Sequence, residues 1–355
     1  MSDQPQPTIL AVDGNSLLHR SFHAQASSMY RTPDGAQGWA VRGLLSQLAV
    51  AAERVCADVV VVGFDDRGNS RRKRRWPHYK AQRPPKPESL ERQLDLAVEV
   101  LRELGVVVVV PEGLEADDVL ASVAAQAPAH GARTVVATSD RDSFALIGEH
   151  TKMLRILNGG VDASPLLDPE RLAMVTGVRP EQYNDLAALR GDASDNLPGV
   201  HGFGAKTAVK LLQALDTAEA AFADVAAGGE RCAAAIGRGR ARHLQAPEAE
   251  ERWRHNREVM AMVPDAFALT GLDAGRLPLD EDAVRATYSR FELHVPGAIR
   301  ALTLREPTRT VTEPGSAPSW QDPRWKPTLP RPKLGPLPKL IPATSGPAYV
   351  QEALF

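Results

Sequence analysis

An α/β fold on a parallel sheet, followed by an all-helical region and a proline-rich tail, is what the sequence predicts. Three observations carry that expectation: short β-branched runs recur before residue 168, longer helical stretches separate them, and the composition changes twice further on. Alternation of this kind is the pattern of βαβ units.

The expected strands are residues 9–12, 59–64, 106–110, 134–137 and 153–157, with helical stretches such as SLERQLDLAVEVLREL between them. Three runs lead directly into a carboxylate: Asp13 follows Val12, Asp65 follows Phe64, and Asp140 follows TVVATS. In open α/β sheets, sites lie outside the carboxyl ends of the strands. Acids far apart in sequence are therefore expected to converge. From residue 168 to about 305 the pattern is alanine-rich, charged and helical, and it contains the glycine-punctuated segment GDASDNLPGVHGFGAKTAVKLL. Residues 306–355 are proline-rich and polar, cannot bury enough apolar surface to fold, and are expected to be disordered or extended. The chain thus divides at 1–167, 168–305 and 306–355.

With 43% hydrophobic residues the chain has the composition of a globular protein with a real core. No apolar run approaches the roughly 20 residues a membrane helix needs, and the N-terminus lacks a signal-peptide pattern, so a cytoplasmic, nucleoid-associated location is expected. Cys56 and Cys232 are too few for a disulfide framework or a zinc site. The net charge of −2 conceals segregation, because residues 67–86, RGNSRRKRRWPHYKAQRPPK, hold many bases and no acid.

Nine acids stand out: Asp13, Asp65, Glu115, Asp117, Asp118, Asp140, Asp142, Asp192 and Asp195. Taken singly, an Asp after a strand is often a helix N-cap, and an Asp-Asp pair often a solvated helix start. Gathered together, they would repel one another and need cations. Carboxylates suit hard divalent ions such as Mg²⁺ or Mn²⁺, and two such ions can hydrolyse a phosphodiester.

The motifs VDGNSLLHRSFHA, YKAQR, EADDVLAS, TSDRDSF, GDASDNLPGV and GFGAKTA, in that order and spacing, resemble the 5′-nuclease family of bacterial DNA polymerase I N-terminal domains and flap endonucleases. That resemblance implies a PIN-like α/β domain with a helical arch at about 66–90, a helix–three-turn–helix module, and two Mg²⁺ or Mn²⁺ ions. It assigns Asp13, Asp65, Glu115, Asp117 and Asp140 to the first metal and Asp142, Asp192 and Asp195 to the second, with Asp118 close to both. Asp13 and Asp140 are thereby catalytic. Lys80 and Arg83 match arch residues that hold and polarise the scissile phosphate, and Tyr79 matches a position for stacking on a base. Arg20 and Arg72 match DNA-contacting positions, although a salt bridge is an equal reading of Arg20. The rest of the 71–75 run reads as a solvated basic loop.

Gly202, Gly204 and Lys206 match the hairpin that grips the duplex backbone, often with a bound K⁺. One departure is Ala187, where polymerase-type relatives carry a basic residue; Arg190 is the nearest substitute. No polymerase motif follows residue 300, so a free-standing nuclease is expected. At the end of the tail, Gln351, Leu354 and Phe355 resemble the Gln-x-x-Leu-Phe peptide that bacterial replication proteins insert into the sliding clamp, although an apolar terminus also packs on its own domain. The function implied is structure-specific 5′-3′ exonuclease and 5′-flap endonuclease cleavage of DNA and RNA primers at flaps, nicks, gaps or 5′ ends. A catalytically weak DNA-junction-binding scaffold and a PIN-type ribonuclease are the alternatives. The first would show missing acids, the second would need neither basic arch nor glycine hairpin.

Overall fold

The computed structural model describes residues 6–303, apart from Met29 and His294. The tail 306–355, with Gln351, Leu354 and Phe355, lies outside the described residues. In chain order the first part runs β1 (Thr8–Asp13), α1 (Gly14–Ala24), α2 (Trp39–Val55), β2 (Val59–Gly63), α3 (Arg71–Arg75), α4 (Glu88–Glu103), β3 (Val107–Val109), α5 (Ala116–Gln126), β4 (Arg133–Thr138), β5 (Thr151–Arg155) and β6 (Leu166–Leu167). The sheet order is β3-β2-β1-β4-β5-β6. Each of the five expected strands is present, shifted by up to two residues at its ends, and all five are parallel. The short β6 joins antiparallel to β5 and was not anticipated, since a two-residue strand leaves no periodicity.

Burial explains the arrangement. All residues of β1 and β2 are buried, as a parallel sheet covered on both faces requires. One face packs Leu10, Val12, Val60 and Val62 against α1, α2 and α4. The other packs Ile9, Ala11, Val59 and Val61 against α5. That second contact is close: a Cβ on Gly63 would come within 2.9 Å of Val119 and 3.0 Å of the Ala116 carbonyl.

The second part comprises α6 (Pro169–Thr176), α7 (Pro180–Arg190), the hairpin of β7 (Gly191–Asp192) and β8 (Leu197–Pro198), α8 (Ala205–Leu215), α9 (Ala218–Ala226), α10 (Glu230–Ile236), α11 (Arg238–Leu244) and α12 (Pro247–Met260). These helices share a core around Tyr183, Leu211, Leu212, Phe222 and Trp253. The helical region expected as one unit to residue 305 ends earlier. Phe267, Leu269 and Leu272 pack on the α5 face of the sheet, and Val60 N donates to Gly275 O at 2.9 Å. The last helices, α13 (Glu281–Arg290) and α14 (Pro296–Thr303), place Val284, Tyr288, Phe291, Ala298 and Leu302 in the α1–α2 core. Their helical periodicity does not say which core they serve.

Residues 66–87 cross from β2 to the helical unit and return to α4 as a strap. Its only α-helix is the five-residue α3. Trp76 and Tyr79 pack with Leu197, Val259 and Met260. The strap is pinned by Arg72, which makes a two-pronged ion pair with Asp118 at 2.7 Å and 2.7 Å and also donates to Val259 O and Ala261 O. Asp118 has no exposure and accepts from Glu115 N and Val263 N as well. Removing one partner of a buried pair strands the other charge. Arg72→Met is expected to cost about 3–5 kcal/mol in urea unfolding; a loss below ~1 kcal/mol would show that the pair does not hold the strap.

Candidate metal centre and DNA interface

The ends of β1, β2 and β4 are neighbours in the sheet, and the order reverses direction between β1 and β4. Sites collect at such a switch. Asp13 closes β1 and caps α1, accepting from Ser16 N and from Thr138 Oγ1, both at 2.8 Å. The Thr138 hydroxyl also accepts from Asp140 N at 3.0 Å, so one side chain ties together the loops carrying both acids. Asp140 Oδ1 in turn accepts from Asp142 N at 3.0 Å. Asp65 accepts from the Asn15 amide and, at 3.0 Å, from Ala116 N at the start of α5. Asp117, in the first turn of α5, accepts from Ser143 Oγ at 3.3 Å.

Asp192 and Asp195 come from the β7–β8 hairpin, where Asp192 accepts from Ser194 N at 2.7 Å. That hairpin is too tight for side chains at its base: a Cβ on Gly199 would lie 2.1 Å from Arg190 O, and Gly191 has φ +77°.

The electrostatics divide the nine acids. Burial pushes the Asp13 carboxyl up to about 7, and Asp65 and Asp140 add to the rise against the Ser16 and Thr138 hydrogen bonds. Asp142 is also pushed up to about 7, first by burial and then by Asp140, Asp192 and Asp195. Asp117 is raised well above the carboxylate range by burial, with Asp140 and Asp13 adding to it. Glu115 moves the other way: burial opposes its charge, but Lys80 and Arg72 outweigh it. Asp195 stays raised because burial exceeds the help of Lys80 and Arg83.

The compensating cations come from the strap. Lys80, in a left-handed backbone conformation (φ +55°), places Nζ 3.0 Å from Glu115 Oε1 and 4.0 Å from Asp195 Oδ2. Arg83 pairs with the Asp195 carboxylate and donates to Ser194 O at 3.2 Å. Lys86 lies 3.9 Å from Asp65. Among the described residues, Asp13, Asp117, Asp140, Asp142 and Asp192 have no Lys or Arg within salt-bridge distance.

No group of three or more Asp, Glu, His or Cys side chains among the described residues is already arranged to hold an ion. What is present is a dispersed set of hard oxygen donors, mostly half-buried, mutually repelling and short of positive charge. Such a set fits divalent cations that keep several of their waters, and it does not suit soft metals, for which no cysteine or histidine is among the nine.

Several predicted residues stand elsewhere. Asp118 points into the Arg72 pair, where its oxygens accept from Arg72, Glu115 N and Val263 N. Arg72, expected to contact DNA, is buried by the same contacts. Tyr79, expected to stack on a base, is also buried; its hydroxyl donates to Glu115 at 3.0 Å and Lys80 lies 4.7 Å over its ring. Arg20 on α1 donates to Asn158 at 3.3 Å, not to an acid. Ala187 is packed in the helical core, so a basic side chain there would have to displace apolar neighbours, whereas Arg190 bears electrostatically on Asp142.

Gly202, Gly204 and Lys206 are exposed on a separate turn leading into α8, anchored by buried Val200 and Phe203. Sequence reasoning missed Asn15, Thr138 and Lys86, which position or neutralise acids. Their signal was adjacency to the motifs, since Asn15 and Thr138 each stand two residues from a motif Asp and Lys86 closes the basic run. It also missed His19, kept neutral because burial lowers its pKa to about 4, with Lys86 contributing.

Comparison with known proteins agrees with this fold. A model of the 5′-3′ exonuclease N-terminal resolvase-like domain matches residues 8–175, and one of the 5′-3′ exonuclease C-terminal SAM fold matches residues 178–277. The chain is 33% identical over 294 residues to DNA polymerase I of Mycobacterium tuberculosis strain H37Rv, covering 82% of this chain and 31% of that protein. To the thermostable DNA polymerase I of Thermus aquaticus it is 39% identical over 217 residues, 61% of this chain and 25% of that one. The chain thus spans about a third or less of the length of the curated relatives it matches. In fold it is similar to the T5 D15 protein co-crystallised with metal ions (TM-score 0.58, 19% identity, 80% of this chain, 99% of that one). It is similar also to the catalytic core of Rad2 in complex with DNA substrate (TM-score 0.56, 15% identity, 85% and 93%). An acidic switch point under a basic strap, followed by a helical unit with a glycine turn, matched by the two models in succession over residues 8–175 and 178–277, makes this chain a member of the 5′-3′ exonuclease family.

Proposed function

We propose that the protein is a metal-dependent, structure-specific 5′-nuclease that cuts DNA and RNA-primer strands at 5′ ends, flaps, nicks and gaps by exonuclease and flap-endonuclease cleavage. The observation that carries this reading is the uncompensated group Asp13, Asp117, Asp140, Asp142 and Asp192, beside which the strap holds Lys80 and Arg83. Two Mg²⁺ or Mn²⁺ ions, when bound, would activate water and stabilise the leaving oxygen. Asp13, Asp117 and Asp140, with Asp65 and Glu115 behind them, would hold one ion, and Asp142, Asp192 and Asp195 the other. Lys80 and Arg83 now spend their charge on Glu115 and Asp195. A scissile phosphate entering between strap and acids would take up those donors. The turn at Gly202, Gly204 and Lys206 would hold the duplex backbone, with K⁺ as a further ligand. The fold is shared with the T5 D15 protein, crystallised with metal ions and with DNA, and with the Rad2 catalytic core in complex with DNA substrate.

Flap cleavage is the first test of the proposal. A 5′-flap duplex should be cut with Mg²⁺ and not with EDTA, and single-stranded RNA should not be cut. Asp140→Ala should lower the rate at least about 100-fold, and Lys80→Ala should lower kcat by about 10²–10³ with less effect on duplex affinity. Equal rates for Asp140→Ala and the parent would remove the acids from the chemistry.

A second outcome concerns pH. The Asp13 and Asp142 carboxyls rise from an ordinary 3.8 to about 7 on folding. A raised carboxyl stabilises the fold below its unfolded pKa, and that contribution is lost as pH climbs through the folded value. Without metal the acids therefore destabilise the protein at pH 8 more than at pH 5. Adding Mg²⁺ should raise Tm more at pH 8 than at pH 5, and an equal rise at both would contradict the site.

The third concerns the last five residues. The reading of Gln351, Leu354 and Phe355 as a sliding-clamp peptide rests on the sequence alone. Deleting 351–355 should abolish clamp binding in a pull-down with purified bacterial clamp while flap cleavage continues; unchanged clamp affinity refutes it.

A further inference from the structure

The segment 237–246, GRGRARHLQA, holds three arginines and no acid. It forms α11, whose Ala241 and Leu244 are buried while Arg238, Arg240 and Arg242 are exposed. Several other arginines on the helical surface are neutralised: Arg254 pairs with Glu250, Arg285 with Glu281, Arg290 with Glu99 and Glu103, and Arg257 with Asp185 and Glu219. Among the described residues the α11 arginines have no carboxylate partner, and neither do Lys206 and Lys210 on α8. Exposed arginine unspent on acids is available to phosphate.

The helix is also locked to the glycine turn. His201 Nδ1 and His243 Nδ1 share a hydrogen bond at 3.0 Å, and the two rings meet edge to face with centroids 4.6 Å apart. A Cβ on Gly202 would stand 2.9 Å from the His243 ring. Gly202 is thus required by α11 as well as by its own φ of +78°. Within α11, Arg240 precedes His243 by one turn and Arg242 adjoins it, so two of the arginines flank the residue that touches the turn.

We infer that α11 is a second duplex-binding element, in which Arg238, Arg240 and Arg242 extend the basic surface of Lys206 and Lys210 and contact the DNA backbone beyond the glycine turn. The inference rests on the reading of the protein as a DNA nuclease and adds a site outside the residues assigned to that activity. Arg238 and Arg242 are separated by about 6 Å of helix rise, while phosphates recur every 3.4 Å along each strand axis. The helix therefore covers about two phosphates, recognised by charge and not by base.

The test is binding of a plain fluorescent duplex in EDTA across a KCl series. For Arg238→Gln/Arg240→Gln/Arg242→Gln the slope of log affinity against log salt should shrink by about 2–3 relative to the parent, and for any duplex sequence alike. The control Arg254→Gln/Arg285→Gln removes charge from paired positions and should leave the slope unchanged; circular-dichroism melts establish that both variants are folded. A triple variant with the parent slope, or a control that lowers it equally, overturns the inference. Failure of the parent to cut a flap with Mg²⁺ overturns the nuclease reading instead, and the two outcomes are read in separate assays.

Discussion

Arg72 and Asp118 join three pieces of chain at one buried ion pair. The guanidinium comes from the basic strap, the carboxylate from the first turn of α5, and the carbonyls of Val259 and Ala261 from the exit of α12. Burying two charges costs several kcal/mol per ion unless geometry and further hydrogen bonds offset it. Here both prongs of the fork are used and the carboxylate accepts two backbone amides besides. Because Arg72 is fixed, Tyr79 and Lys80 reach Glu115 from a defined direction. Arg72 also reaches Glu115 at 3.2 Å, so the contact that pins the strap meets the same acid as Lys80.

The acids then fall into two kinds. Glu115 and Asp195 meet strap cations, Asp65 lies near Lys86, and Asp118 is spent in the buried pair. Asp13, Asp117 and Asp142 lie in low-dielectric surroundings beside other carboxylates, and their protonation is driven upward by burial and repulsion together. A core under selection for stability alone would not keep such a group. Individual donors hold the acids in place: Ser16 N and the Thr138 hydroxyl on Asp13, Ala116 N on Asp65, the Ser143 hydroxyl on Asp117 and Ser194 N on Asp192.

The helical unit and the sheet are not joined by simple succession. The chain leaves the sheet after β6, builds α6 to α12 around Tyr183 and Trp253, and then returns, so that Leu269 covers one face and α14 the other. This return brings β7–β8 and α12 against the strap, and it places Asp192 and Asp195 near Asp142 although neither belongs to a sheet strand.

Much was legible beforehand. Val-rich runs of strand length separated by amphipathic stretches determine a parallel sheet, since burial on both faces demands continuous apolar strands. A carboxylate directly after such a run determines which edge the chemistry occupies, and the motif order determines the family. What linear sequence does not encode is the competition for each charge. Asp117 and Asp118 are adjacent, yet helical rotation of about 100° per residue sends one toward Ser143 and the acids and the other into Arg72. Tyr79 and Lys80, likewise neighbours, both turn inward onto Glu115, one as a neutral donor and the other as a cation. Ala187 reads as a lost contact in one dimension and is a packed core residue in three. The sequence by itself determined the sheet, the acidic edge and the membership. Only the tertiary structure decided which acids are neutralised and which are left wanting a cation, because that depends on partners up to 145 positions apart, as Asp118 and Val263 are.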